Sequence, residues 1–236
     1  VKDPTRTQNY KFTFPTSPTW TATVTKTNLG SIGVMVSGAV LYNPFEGDGK
    51  TVAMANNFTI TNENGITASF VDKCAGHPGP ADGAYHYHGL SSCVTSKVDK
   101  YQKPSRIIGF ALDGFPIYGD RDINGKQLVA SNLDKCNGIN SATPEFPKGI
   151  YHYVLLPTLD VRSSIACFHG VVDLTQIKAM PPMGNGMLDI ATAAKKLGIT
   201  EQELLQAFEY KMPPDFALAA KNLGMTEAEL KKKLGV

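Results

Sequence analysis

No apolar stretch in these 236 residues is long enough to cross a bilayer as a helix. Charge of either sign is in short supply. Lys and Arg number 23 against 21 Asp and Glu, a formal net charge of +2, and no basic stripe interleaves with aromatics. That speaks against nucleic acid as a partner. Cysteine and histidine are missing from both ends: the four cysteines fall between Cys74 and Cys167, and the five histidines between His77 and His169. No two cysteines have CxxC spacing, which argues against a zinc knuckle. There is no GxSxG elbow and no phosphate-binding loop. No signal-peptide pattern is present and the chain opens on Val1, as expected of a mature protein whose leader has been removed. Hydrophobic residues at 42% and charged ones at 19% are ordinary globular values, so a packed core is expected and global disorder is not.

What is present divides near Met187. Residues 1–186 are rich in Gly, Pro, Thr and aromatics, the material of strands and turns, whereas 187–236 are rich in Ala, Lys, Glu and Leu. The tail repeats itself: Ala193-Ala194-Lys195-Lys196-Leu197-Gly198-Ile199-Thr200-Glu201-Gln202-Glu203-Leu204 returns as Ala219-Ala220-Lys221-Asn222-Leu223-Gly224-Met225-Thr226-Glu227-Ala228-Glu229-Leu230. Gly198 and Gly224 are placed to end helices, and Thr200 with Glu203 and Thr226 with Glu229 to start the next ones as capping boxes. Two helix-turn-helix units follow, separated by Pro213-Pro214. From Asp189 onward seven Lys balance seven acidic residues, so a protein partner suits this tail better than DNA.

The front part is also duplicated. Ile32-Gly33…Gly38…Tyr42 matches Ile108-Gly109…Gly114…Tyr118, Asp72-Lys73-Cys74 matches Asp134-Lys135-Cys136, and Tyr85-His86-Tyr87 matches Tyr151-His152-Tyr153. A cysteine closes each series, Cys93 and Cys167. Two related halves, about 28–95 and 104–170, are expected to face each other about a pseudo-twofold axis. Each reads as strand, glycine turn, strand, and Trp20, Ala22 and Val24 alternate with threonines as a half-buried strand does. The expected fold is mainly β: an internally duplicated, β-sandwich-like domain with long loops, followed by a small α-helical appendage. Four cysteines allow three pairings. The repeat favours Cys74–Cys93 and Cys136–Cys167, and disulfides imply a periplasmic or extracellular location.

Alternate residues of a strand share a face. His86 and His88 are therefore expected to point the same way, and the duplication supplies His152 as a third imidazole. Three neutral imidazoles suit copper or zinc. His77, in a loop close in sequence, is a candidate ligand or acid–base group, and Asp113 is a candidate base beside such an ion, because a carboxylate among apolar neighbours must be paired or shifted. His169, just after Cys167, is expected nearby. Asp120, Asp122 and Asn124 have the opening form of a calcium loop, though Ser131 stands where the closing acid would be.

Gly83-Ala84-Tyr85-His86-Tyr87-His88-Gly89-Leu90, Ile107-Ile108-Gly109-Phe110-Ala111-Leu112-Asp113-Gly114-Phe115-Pro116-Ile117-Tyr118-Gly119 and Gly149-Ile150-Tyr151-His152-Tyr153 resemble the YHYH-domain family over about residues 30–180. The resemblance implies export and paired cysteines but brings no established reaction. Val154 stands where a second complete YHYH would place a histidine. The expected function is that of a secreted copper- or zinc-binding protein; the alternatives are a metal-dependent hydrolase or lyase on the same site and a non-catalytic module that binds protein or glycan.

Overall fold

Short strands separated by glycine and proline turns make up most of the chain. The computed structural model describes residues 5–55, 59–61, 67–79, 82–176, 190–208 and 215–235. In order these form β1 (Thr25–Lys26), β2 (Ser31–Met35), β3 (Val40–Tyr42), β4 (Thr59–Thr61), β5 (Thr67–Ser69), β6 (Gly76–Pro78), β7 (Tyr85–Tyr87), α1 (Ser92–Val98), β8 (Ile107–Ala111), β9 (Pro116–Tyr118), β10 (Gly138–Ser141), β11 (Ile150–Val154) and β12 (Cys167–Phe168). Four helices follow, α2 (Ile190–Leu197), α3 (Glu201–Ala207), α4 (Phe216–Asn222) and α5 (Glu227–Leu234). The chain is mainly β with its helices mostly C-terminal, as expected. It divides into two compact units, Val1–Pro78 with Ala84–Met180 and Gly79–Gly83 with Pro181–Val236. The expected boundary at 186/187 and the Pro213-Pro214 break lie outside the described residues.

Eight strands form one mixed sheet in the order β10-β11-β9-β8-β2-β3-β7-β6. Its two halves are the two sequence repeats. Gly38 (φ +88) turns β2 into β3 and Gly114 (φ +89) turns β8 into β9, both in a backbone region that side-chain-bearing residues avoid. Leu41 pairs with Tyr87 across the parallel β3–β7 ladder, and Ile117 with Tyr153 across β9–β11. Each half carries an irregularity at the same place, between Ser31 and Gly33 and between Ile107 and Gly109. The pseudo-twofold axis passes between β2 and β8 at the equivalent residues Val34 and Phe110, which face each other in an antiparallel pair. Gly33 and Gly109 flank it. A Cβ on either would lie 2.8 or 2.7 Å from the opposing Phe110 or Val34 carbonyl oxygen, so only glycine permits this approach. The halves thus join edge to edge within a continuous sheet, not face to face as a sandwich would place them. Backbone pairing along β2–β8 supplies this junction.

The core of this unit is built from Ile32, Met35, Leu41, Ile108, Leu112, Ile117, Leu155 and Phe168, all essentially inaccessible. Both expected disulfides are formed, Cys74–Cys93 and Cys136–Cys167. The alternation at residues 20–24 does not produce a strand there. The pairing begins at β1, which bonds to β12. Trp20 is half exposed, with its ring stacked on His169 at 5.0 Å.

The helical unit follows its repeat closely. Gly198 and Gly224 take φ of +71° and +68°. The Thr200 hydroxyl accepts from Glu203 N–H while the Glu203 carboxylate accepts from Thr200 N–H, and Thr226 with Glu229 does the same. Leu204, Phe208, Ala219, Ala220, Leu230 and Leu234 form a separate core. Among the described residues no helix is long and apolar enough to cross a membrane.

Candidate metal centre

The first half gathers three imidazoles by strand register. His77 on β6 lies opposite His86 on β7, and His88 follows two residues after His86, with its N–H held by the Ala75 carbonyl at 2.9 Å. Ring centroids are 4.4 Å apart for His77–His86, 4.9 Å for His86–His88 and 5.2 Å for His77–His88. One ring nitrogen from each lies within 4.8 Å of the other two. All three rings are buried. Tyr42, at the end of β3, stacks on His86 at 3.9 Å, and Phe70 leans on His77 at 4.2 Å. Tyr85 and Tyr87 point away, as alternation requires, Tyr85 donating to Asp72 and Tyr87 bonding Ser37.

The protonation pattern follows from the hydrogen bonds. His77 Nδ1 meets the Pro78 carbonyl at 3.1 Å, His86 Nδ1 the Ala84 carbonyl at 2.9 Å and His88 Nδ1 the Asn43 carbonyl at 2.9 Å. A carbonyl only accepts, so each Nδ1 carries the proton and each Nε2 a lone pair. The Nε2 atoms of His77 and His88 are buried with no hydrogen-bond partner. Burial, followed by the neighbouring imidazoles, drives His86 down to about 2 and His88 to about 4. Burial also lowers His77. The rings are therefore neutral at physiological pH.

A fourth group, which sequence reasoning missed, stands beside them. Glu46, in the loop after β3, places Oε1 3.9 Å from His77 Nε2, and that oxygen is likewise buried without a partner. Burial, with Asp48 close by, pushes its carboxyl up to about 7. Glu46 lies 31 residues from His77 in a loop with no motif of its own, so no spacing rule points to it.

His152 does not join this cluster. Its ring packs edge-on against Tyr118 at 4.9 Å and its Nδ1 donates to the Ile150 carbonyl. β11 lies five strand positions from β7, about 24 Å along the sheet at ~4.8 Å per strand. The duplication places His152 at the equivalent point of the other half, not at the same point in space, and His77 is the third ring instead.

Asp113 is not poised as a base. Its carboxylate accepts from Tyr153 Oη at 2.6 Å, Gly170 N–H at 2.9 Å and Phe115 N–H at 3.3 Å, and it is wholly buried. Burial raises its pKa while these three bonds pull the other way. It ties β11 and the Gly170 backbone to the β8–β9 turn. The segment with the opening form of a calcium loop is a turn, the reading that its missing closing acid favours: Asp122 Oδ1 accepts from the N–H groups of Asn124 and Lys126, and Asp120 accepts from Gln127.

His169 sits apart from the three rings. Its Nε2 lies 3.2 Å from an Asp134 oxygen, and its Nδ1 2.7 Å from the Thr21 carbonyl. Cys136 is close to this pair, but its sulfur is bonded to Cys167 and supplies no thiolate.

No curated protein and no solved structure matches this chain. The family described as YHYH protein matches it over residues 11–127 and 122–170. These spans hold both halves of the sheet, the three imidazoles and both disulfides, and they cover most of the chain. The chain belongs to the YHYH family.

Proposed function

We propose that this protein binds one copper or zinc ion through His77, His86 and His88. The observation that carries the reading is the convergence of three buried imidazoles whose Nδ1 protons are already committed to backbone carbonyls. Lone pairs aimed at a common point repel one another, and burying acceptors without donors costs free energy. A cation turns that cost into coordination. Backbone carbonyls on the far nitrogens are the usual means of orienting metal-bound histidines. Neutral imidazoles suit Zn, Cu, Fe and Ni in general, and zinc sites with three histidines recur. Two disulfides favour an oxidising compartment, periplasmic or extracellular, as the place where the ion is met.

The test is elemental analysis of protein dialysed against trace zinc or copper, combined with thermal melts with and without a chelator. One ion per chain is expected, with a melting temperature that falls on chelation, because a ligand bound only to the native state raises it. Protein that carries no metal and melts identically in both conditions would end the proposal.

A further inference from the structure

We infer that Glu46 is the fourth donor of this centre, and that the site therefore takes a divalent cation of the zinc class enclosed by protein ligands. The inference rests on the three-histidine reading and adds its coordination and selectivity.

Three observations support it. The first is distance. Glu46 Oε1 and His77 Nε2 are 3.9 Å apart, and both are buried without partners. Because His77 Nδ1 holds the ring proton, its Nε2 and the carboxylate oxygen face each other as two acceptors. A separation of 3.9 Å is too long for a proton-shared hydrogen bond. It is less than twice the metal–ligand distance of ~2.0–2.2 Å for His N and carboxylate O, so one ion can reach both atoms.

The second is the state of the surrounding loop. Glu46 N–H donates to Thr51 O at 2.8 Å and its carbonyl accepts from Gly49 N–H at 2.9 Å, which fixes its backbone. Asp48 Oδ1, two residues on, is consumed by the N–H groups of Lys50 and Thr51. The loop thus satisfies one carboxylate internally and leaves an oxygen of the other beside His77 Nε2.

The third is the other half of the molecule. Asp122 is the residue equivalent to Glu46, and its Oδ1 accepts two backbone N–H groups. The positions of His77 and His88 are there Ile139 and Val154, read from the shared register. Among the described residues, the buried carboxylate oxygen without a hydrogen-bond partner belongs to the half where the imidazoles meet.

The chemistry selects the ion. Three neutral imidazoles leave both charges of a buried dication uncompensated, and a carboxylate offsets one of them. Monovalent copper prefers soft donors and gains little from a carboxylate, whereas oxygen donors suit divalent ions. A tetrahedral ion held by three imidazoles and Glu46 has no position left for water, which is the pattern of a site that holds a metal and not of one that activates water for hydrolysis.

The experiment compares the wild-type full chain with Glu46→Gln, which keeps the shape and removes the charge, and with Glu46→Asp, which keeps the charge and shortens the reach. Zn2+ and Cu+ affinities are measured by competition with chelators, and visible spectra are recorded for Co2+-loaded protein. Glu46→Gln should weaken Zn2+ by more than the roughly 10–100-fold that loss of an outer partner costs, leave Cu+ unchanged, and shift the Co2+ bands. Glu46→Asp should fall between the two. Metal-free melts check that the variants fold. Equal Zn2+ affinity and identical Co2+ spectra in wild type and Glu46→Gln would overturn this inference while leaving the three-histidine site standing. A wild type that binds neither ion would overturn both.

Discussion

The two halves of the sheet share a frame and differ in what it carries. Each has an Asp–Tyr bond, Asp72 to Tyr85 and Asp134 to Tyr151, in the same register. Each has a left-handed residue before its edge strand, Ala75 at φ +63 and Asn137 at φ +67. Each has a tyrosine beside its central histidine, Tyr42 on His86 and Tyr118 on His152. Only the first half adds His77 and His88 to that histidine. The second fills the same places with Ile139 and Val154 and spends its polar chemistry on the buried Asp113–Tyr153 bond, where the first half has Ser37 and Tyr87. The frame is therefore separable from the site: a few side chains on one strand register decide whether a half concentrates lone pairs or apolar surface.

The largest expected contrast is in metal content. His86→Ala should take bound metal from one equivalent to none, and His152→Ala should leave it at one. Elemental analysis of the pair checks this, and equal losses would dissolve the distinction between the halves. Next comes a transplant. Ile139→His with Val154→His should give the second half a weak site of its own, seen as a second equivalent in a zinc titration. Failure in a folded variant would show that Glu46, whose counterpart Asp122 is engaged by backbone N–H groups, is also required.

Disulfide removal should cost both halves stability. The loop-entropy relation gives about 3 kcal/mol for the 19-residue separation and about 4 kcal/mol for the 31-residue one. Urea melts of the two Cys→Ser pairs measure the costs. Only loss of Cys74–Cys93 should also weaken metal binding, since that bridge anchors the segment entering β6.

Asp113→Asn should destabilise by about 1–3 kcal/mol, because Tyr153 Oη and Gly170 N–H lose a charged acceptor, and it should leave metal affinity untouched. A drop in affinity would return Asp113 to the site. The smallest effect is at Ala75, whose left-handed backbone suits Asn better than Ala. Ala75→Asn should stabilise by up to about 1 kcal/mol in the same melts.

Much of this was legible in the residues. The Gly38 and Gly114 turns, both capping boxes and both disulfide pairings follow from local chemistry or from the repeat offset, because each depends on neighbours in the chain or on a copied spacing. The site was only partly legible. The His-x-His spacing brings His86 and His88 to one face because alternation is a local property of a strand. Assigning His152 as the third ring treated equivalence under the duplication as proximity. A twofold axis through β2 and β8 separates equivalent points, and this one carries His86 and His152 to opposite parts of the sheet. His77, which the sequence offers as a ligand or an acid–base group, is the ring that the register of β6 against β7 delivers.

By itself, then, the sequence determined the duplication, the turn positions, the cysteine pairing, the helix caps and the two-histidine strand face, all of which depend on backbone conformation over a few residues or on an offset repeated once. Tertiary structure alone decided that the halves share one sheet, that His77 packs against His86 and His88, that Asp113 is satisfied by Tyr153 and Gly170, and that a Glu46 oxygen lies beside His77. Those outcomes depend on which strands pair, in what register, and on which polar atoms are left unmatched when water is excluded, and these are properties of the packed chain.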